Sequence, residues 1–537
     1  MTAFADISIR STAALVVLLF LRTLSVYAQQ LPAGPPAPRA YLSSESTRRT
    51  FDVDQAEEDE PGDTEEHALD VLEPVLDAHT VAQHLSRAIQ FPTVSHGGSA
   101  EVDSASFRAF HAYLTQLFPR VHTQLKREVV SGLSLLYTWP GRDSTLEPIL
   151  LMSHQDVVPV DEGSASDWKY PPFSGVINNG YVWGRGTLDD KHGVLGILEA
   201  TERLLQEGYV PERTIYLAFG HDEEVGGANG AAQIAGLLQS RGVRLALVVD
   251  EGGAIIKRFL SRIRGDVAAV GVAEKGSISL QLTVRSEGGH SSVPGRETAI
   301  SIVSAAVTRL EKHPFPARLG GVTAQSLKQI SPLLSLPQRF ALSNLWLFRP
   351  FVLGALSRSP ETDWMIRTTT AVTMISGGTK TNLLPTSASA VVNFRTMPGE
   401  TLESVIDHVR RVVADERIEI RAVGMQREAP PPSTVDDAAF EVLTNAIQTI
   451  SPDARVRIVP FLVPGGTDAR YFRSICDHVY RFNGLRVSRR ELRRYHATDE
   501  RISVREYVRS IKFYYYVLRN ASGHGGDVDQ AVGAELR

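Results

Sequence analysis

Sulfur chemistry is almost absent from this chain: among its 537 residues there is one cysteine, Cys476. An intramolecular disulfide and a thiolate-held metal cluster are both excluded. Any metal ion must therefore be held by imidazole and carboxylate, a donor set that suits zinc, manganese or cobalt. Excess positive charge is also missing. The formal net charge is -5, so no nucleic-acid-binding surface is expected. Long apolar runs are scarce as well. The clearest, Ala13 to Leu21, has about the length of a signal-peptide core and falls well short of the ~20 residues that cross a bilayer. What remains is 43% hydrophobic and 22% charged, ordinary for a soluble globular protein and long enough for two or more domains.

The chain divides by composition. Residues 1–28 read as a signal peptide or signal anchor: Arg10 precedes the apolar core, and Val26-Tyr27-Ala28 suits a signal-peptidase cut. Either form sends the body into the secretory pathway, to be secreted or held in a vacuole- or lysosome-like lumen. Residues 29–68, proline-rich and then acidic from Asp52 to Glu66, read as a disordered linker. Strand and helix patterns alternate over 69–273, which predicts an α/β fold with a mostly parallel sheet. The helix after Asp190 carries a stripe of Val194, Leu195, Ile197, Leu198, Ala200, Leu204 and Leu205. Residues 274–428 switch to a strand-helix-strand-helix unit, an inserted α+β lid domain. The α/β pattern resumes over 429–522, so the core is split around the insert, and 523–537 form a loose tail. Within the insert, residues 315–366 are an apolar excursion that includes Phe340 to Leu353. Its simpler reading is core of an enlarged lid; the others are an acyl channel or a weak membrane contact.

Three strand-like runs end in metal-binding chemistry. Ile149 to Ser153 runs into His154-Gln155-Asp156, Thr214 to Phe219 leads to Glu223-Glu224, and Leu245 to Val249 runs into Asp250-Glu251. Ligands of open α/β sheets gather at the carboxyl ends of strands. One carboxylate of an adjacent pair can hold a metal while the other moves a proton. Asp156 can accept a hydrogen bond from the ring nitrogen of His154 that does not bind metal. Asp189 or Asp190 either caps the following helix or, approached through Gly184 and Gly186, bridges two cations with its two oxygens. Glu223-Glu224 as a solvated pair and Asp250 as a turn cap are the plain alternatives.

These pieces, together with Gly288-Gly-His-Ser-Ser292, Gly378-Thr-Lys-Thr-Asn382, Asn393-Phe-Arg395, Pro464-Gly-Gly-Thr-Asp468 and His496, resemble in order the co-catalytic di-zinc aminoacylase/carboxypeptidase family. The nearest branch is that of carboxypeptidase S and the secreted N-fatty-acyl-amino-acid synthase/hydrolase. The resemblance implies a hydrolase with two divalent ions, Zn²⁺ by family habit, acting on a small N-acyl amino acid or short peptide. Asp189 would bridge the ions, His154 and Asp250 completing one site and Glu224 and His496 the other. Glu223 would be the general base, Asp156 would orient His154, and His290 would stabilise the oxyanion with help from Asn382. Arg395 would grip the substrate carboxylate in a pocket lined by Gly465, Gly466 and Thr467. His290 would arrive by closure of the lid or from the partner in a homodimer formed through it. His192 and Gly466 depart from the branch, which often has a small residue and an asparagine there. A binding protein that had lost catalysis would lack a ligand or the base, and this chain retains them.

Overall fold

Buried strands alternating with amphipathic helices build the first half of the molecule, as that periodicity demands. The computed structural model describes residues 74–97, 102–259, 265–452 and 456–522. The expected signal segment, acidic linker and tail lie outside the described residues. Helices α1 (Ala78–Ile89) and α2 (Ser104–Leu117) open at Asp77 and Asp103, whose carboxylates accept first-turn N–H groups. After α3 (Pro119–Gln124) come β1 (Lys126–Val130), β2 (Ser134–Trp139), β3 (Ile149–His154), β4 (Ile177–Asn178) and β5 (Tyr181–Trp183). Then follow α4 (Lys191–Gln206), β6 (Ile215–Gly220), α5 (Ala231–Ser240), β7 (Leu247–Asp250), β8 (Ala254–Ile256) and β9 (Asp266–Glu274).

The middle of the chain holds β10 (Ile278–Arg285), β11 (Gly289–His290), α6 (Ala299–Lys312), α7 (Gly321–Ile330), α8 (Leu336–Ser343), α9 (Leu345–Leu356) and α10 (Pro360–Asp363). It continues with β12 (Thr369–Gly377), β13 (Leu383–Leu384), β14 (Ser387–Arg395), α11 (Leu402–Val413) and β15 (Ile418–Ala422). The last part is α12 (Ala438–Thr449), β16 (Val456–Val463), β17 (Val479–Arg481), β18 (Arg486–Val487), α13 (Arg489–Leu492), β19 (Arg501–Ser503) and α14 (Val504–Ser522).

The large sheet runs β1-β2-β6-β3-β7-β17-β9-β8-β18, with β16 also beside β9. Its centre is parallel: β3 pairs with β6 and β7, and β17 pairs with β7. Strands from after the insert thus complete the sheet begun before it. Because β3, β6 and β7 run the same way, their carboxyl ends share one edge, which is where the acidic and imidazole side chains collect. Helix α4 buries the stripe expected from its sequence and packs on α14; a Cβ at Gly196 would sit 3.2 Å from the Tyr514 ring, so glycine allows the close approach.

The second sheet, β12-β14-β10-β15, is wholly antiparallel. Its alternating residues Leu280, Leu282, Val392 and Phe394 are buried beneath α6 and α11, the one-sided burial that alternation predicts. The apolar excursion behaves differently from its simpler sequence reading. Phe315 joins the core of this sheet, but the helices that follow do not. Ile330 of α7 packs with Val267 and Val459 of the large sheet, and α9 joins a cluster that reaches Phe461 of β16. The excursion covers β16, an outer strand of the large sheet that would otherwise be bare. Among the described residues no helix is long and apolar enough to cross a membrane.

Candidate metal centre

Asp189 lies between two histidines. Its Oδ1 is 2.9 Å from His154 Nε2 and its Oδ2 is 2.9 Å from His496 Nε2. Glu224 Oε2 lies 3.2 Å from His496 Nε2, and Glu251 Oε1 lies 3.6 Å from His154 Nε2. The ligand atoms of His154, Asp189 and Glu224 fall within 4.8 Å of one another, as do those of His154, Asp190 and Glu251. Two overlapping groups therefore share His154, with a two-oxygen carboxylate between the imidazoles.

Local structure explains each position. His154 ends β3, and its Nδ1–H donates to the Asp156 carbonyl at 2.9 Å. That leaves Nε2 bare toward the cluster. The Asp156 carboxylate accepts the backbone N–H groups of Glu223 (3.2 Å) and Glu224 (3.1 Å), so it holds the turn that carries both glutamates. Behind the turn, Gly227 has φ +66, and a Cβ there would lie 1.9 Å from Asp468 Oδ1; glycine is required on both counts. His496 sits on an irregular loop at φ +60. Arg185 anchors the loop, donating to the His496 carbonyl at 3.1 Å and to Glu500 Oε2 at 2.6 Å. Glu500 Oε1 in turn accepts from Gly186 (3.0 Å) and Leu188 (2.8 Å). Buried Glu500 thus ties the His496 loop to the Asp189 loop.

The electrostatics call for cations. Burial, followed by the charge of neighbouring carboxylates, pushes Glu223, Glu251 and Asp190 well above the carboxylate range. Hydrogen bonds to Asp189 and Glu224 raise the His496 imidazole to about 10. Against the opposing pull of burial, Asp156 and Asp189 raise His154 as well. Buried Glu224 Oε1 and Asp190 Oδ1 have no hydrogen-bond partner, which leaves donor atoms open. An imidazole–carboxylate set with open oxygens fits divalent ions.

Asp250 is not among the convergent groups. Its Oδ2 accepts the Ala469 N–H at 2.9 Å, and Glu251 faces His154 instead. Asp250 nonetheless lies close enough for its charge to act on Asp190. His290 lies exposed on β11 and Asn382 exposed just before β13, where Ser291 N–H donates to the Asn382 carbonyl at 3.2 Å. No hydrogen bond or ion pair among the described residues joins either to the metal cluster. The Ser292 N–H donates to His290 Nδ1 at 3.1 Å, and Ser292 Oγ lies 2.7 Å from the same nitrogen. Arg395 is exposed at the end of β14 and forms no ion pair among the described residues. Thr467 is buried, its N–H donating to Glu274 Oε2 at 3.0 Å.

Sequence reasoning missed Arg427. A Cβ on Gly466 would lie 2.0 Å from Arg427 Nη1, so the guanidinium fills the space a larger residue at 466 would need. Its Nε is buried without a partner, and Nη2 makes only a 3.4 Å bond to the Lys275 carbonyl. Burial lowers its pKa, against the smaller opposing pull of Glu274 and Glu223. The signal in the sequence was indirect: glycine where a side chain was expected.

The paired histidines and shared carboxylate at the carboxyl edge of a parallel sheet define a metal-dependent hydrolase. The model of peptidase family M20/M25/M40 matches residues 150–520, and the chain belongs to that family. Probable carboxypeptidase S-like 2 of Dictyostelium discoideum is 40% identical over 444 residues, covering 82% of this chain and 85% of the relative. The human N-fatty-acyl-amino acid synthase/hydrolase PM20D1 is 40% identical over 451 residues, covering 83% and 88%. Among solved structures, the M20 metallo-carboxypeptidase Sso-CP2 of Sulfolobus solfataricus matches with a TM-score of 0.59 at 17% identity, covering 83% of this chain and 99% of that one. Human carnosine dipeptidase 1 matches at 0.60 and 15%, covering 85% and 98%.

Proposed function

We propose that this chain is a di-zinc carboxypeptidase/aminoacylase that cleaves the amide bond of an N-acyl amino acid or dipeptide with a free C-terminal carboxylate. The observation that carries this reading is Asp189, one oxygen to each histidine. His154, Asp189 and Glu251 would hold one ion, and Asp189, Glu224 and His496 the other. Bound there, the pair supplies an acidified water and a polarised scissile carbonyl. Glu223, whose backbone N–H is held by Asp156, would serve as the general base toward the attacking water and pass that proton to the leaving nitrogen. His290 donates Nε2–H to the developing oxyanion, with Asn382 beside it, once the lid or a partner subunit delivers them. Arg395 and Arg427 form the carboxylate subsite, Arg427 over Gly466 with free donors for a charge-assisted bond. The enzyme works in the secretory pathway.

Metal analysis of the purified protein, paired with hydrolysis of N-acyl amino acids and dipeptides, tests the reading. Two equivalents of zinc and hydrolysis that requires a free carboxylate are expected; a metal-free active enzyme or equal turnover of amidated substrates would overturn it. Long-chain N-fatty-acyl amino acids, handled in both directions, are the second reading, supported by 40% identity to an N-fatty-acyl-amino acid synthase/hydrolase, equal to that with the carboxypeptidase S-like relative. Oleoyl-phenylalanine against Gly-Leu separates the two: preference for the first selects the fatty-acyl reading.

A further inference from the structure

Helices α8 and α9 form a hairpin whose outer face is apolar. The inner stripe of α9 is accounted for: Leu345, Val352, Leu353 and Leu356 pack around Leu319, Met365 and Ile366, and buried Phe348 meets Phe340 edge-on at 5.7 Å. A surface helix normally turns charged residues to the opposite side. Here that side carries Trp346, Leu347, Pro350, Phe351, Gly354 and Ala355. Trp346 is 83% exposed, Leu336 at the start of α8 79%, Phe340 50% and Phe351 48%. Large aromatic and aliphatic side chains gathered in the open mark an interaction surface.

Charge says what kind of surface. From Lys312 to Pro360 the chain contains no aspartate or glutamate, yet it has Lys312, Arg318, Lys328, Arg339, Arg349 and Arg358. This stretch belongs to a protein of net charge -5, so the local excess is not a general property of the chain. Arg339 and Arg358 are exposed beside the apolar face, while Arg349 reaches back to the Leu319 carbonyl at 3.1 Å. An apolar face rich in Trp, Phe and Leu, with exposed arginines on the same stretch and no carboxylate between Lys312 and Pro360, matches a helix lying in the headgroup region of a lipid leaflet. Anionic headgroups complement the arginines. Neither helix is long enough to span, so attachment is to one leaflet.

We propose that the α8–α9 hairpin docks this enzyme on the surface of an anionic phospholipid bilayer. The proposal is independent of which substrate is cleaved. Purified full-length protein is mixed with vesicles of phosphatidylcholine alone or of phosphatidylcholine with phosphatidylglycerol, and the vesicles are floated on a density gradient. The wild type is expected to float with the anionic vesicles and to dissociate as salt is raised. Combined Phe340→Ser, Trp346→Ser and Phe351→Ser substitution should lower the bound fraction roughly tenfold. Arg339→Gln with Arg358→Gln should weaken binding to anionic vesicles alone. Hydrolysis of a water-soluble short N-acyl amino acid should be unchanged in both variants, which shows that they fold. The proposal fails if wild type does not float. It also fails if the triple variant floats as well as wild type, which would assign attachment to another segment, Ala13 to Leu21 foremost. If the triple substitution instead splits a dimer without altering flotation, the face is covered by a second copy and the proposal is equally overturned.

Discussion

Adjacent carboxylates at a strand end divide their work by direction, and the two such pairs here make separable predictions. Glu223→Gln keeps the shape of the turn but removes the base; kcat should fall by about 10²- to 10⁴-fold with metal content intact. Asp250 and Glu251 should part in the same way. Glu251→Ala should lower bound metal, read by elemental analysis, and abolish turnover. Asp250→Asn, which leaves an acceptor for the Ala469 N–H, should retain both ions. The opposite result would restore Asp250 as ligand. Arg427→Gln should raise KM for a free-acid substrate about 10- to 100-fold, the worth of a charge-assisted hydrogen bond, and leave an amidated analogue unchanged. Much of this centre was legible: a His, an Asp and three Glu side chains at strand ends or just before a helix are visible as residue types. Which of Asp250 and Glu251 turns inward was not, because spacing of one residue is the same for both choices. His496 and Glu500 escaped strand-end reasoning because they sit on an irregular loop, held through Arg185 by contacts more than 300 residues distant in sequence.

At the scale of elements, periodicity located the helices and strands well where each buries one face. Helix α4 and strands β10 and β14 match their patterns because their neighbours lie on one side or interleave regularly. The role of the excursion over 315–366 stayed open in the sequence for a physical reason: an apolar run reports that something is covered but not what, and here its inner face covers β16. Helix α2 carries a testable consequence of its packing. His111 is buried, its Nε2 2.6 Å from Gln155 Oε1, and burial lowers its pKa to about 4 from an ordinary 6.5. The unfolded chain takes up this proton as pH drops below 6.5, whereas the folded protein does not until pH is near 4. Stability from this group is therefore complete above 6.5 and is lost on acidification across that window, by at most about 3 kcal/mol. His111→Gln, which keeps a donor for Gln155, should flatten that part of the profile in urea unfolding measured between pH 7 and 4. Equal slopes in wild type and variant would assign the acid sensitivity elsewhere.

The roles proposed for His290 and Asn382 would need groups on an exposed ribbon to reach a centre on the large sheet. His290 is exposed on β11 and Asn382 just before β13, whereas the metal centre sits at the edge of the large sheet; the chain crosses between the two bodies where Ser277 pairs with Arg427 and Gly276 with Thr396, beside the packing of the excursion on β16. A Cβ on Gly276 would lie 2.2 Å from Thr396 Oγ1 and 2.6 Å from the Arg427 carbonyl, so the crossing is too tight for any larger residue. Two ways of completing the site follow from this arrangement: the lid rotates about that crossing, or a second copy presents His290 from its own lid. Subunit mixing separates them. Glu223→Gln and His290→Ala should each be inactive alone. If His290 acts across a dimer, a hybrid has one site with an intact Glu223 chain facing an intact His290 from its partner. Random exchange then restores about one quarter of wild-type activity, since half of the dimers are hybrids and half of their sites are whole. If His290 acts within its own chain, no mixture recovers activity, and closure should instead appear as a smaller radius of gyration in solution scattering when a non-hydrolysable substrate analogue is added. Recovery with no change in radius, or contraction with no recovery, assigns the route.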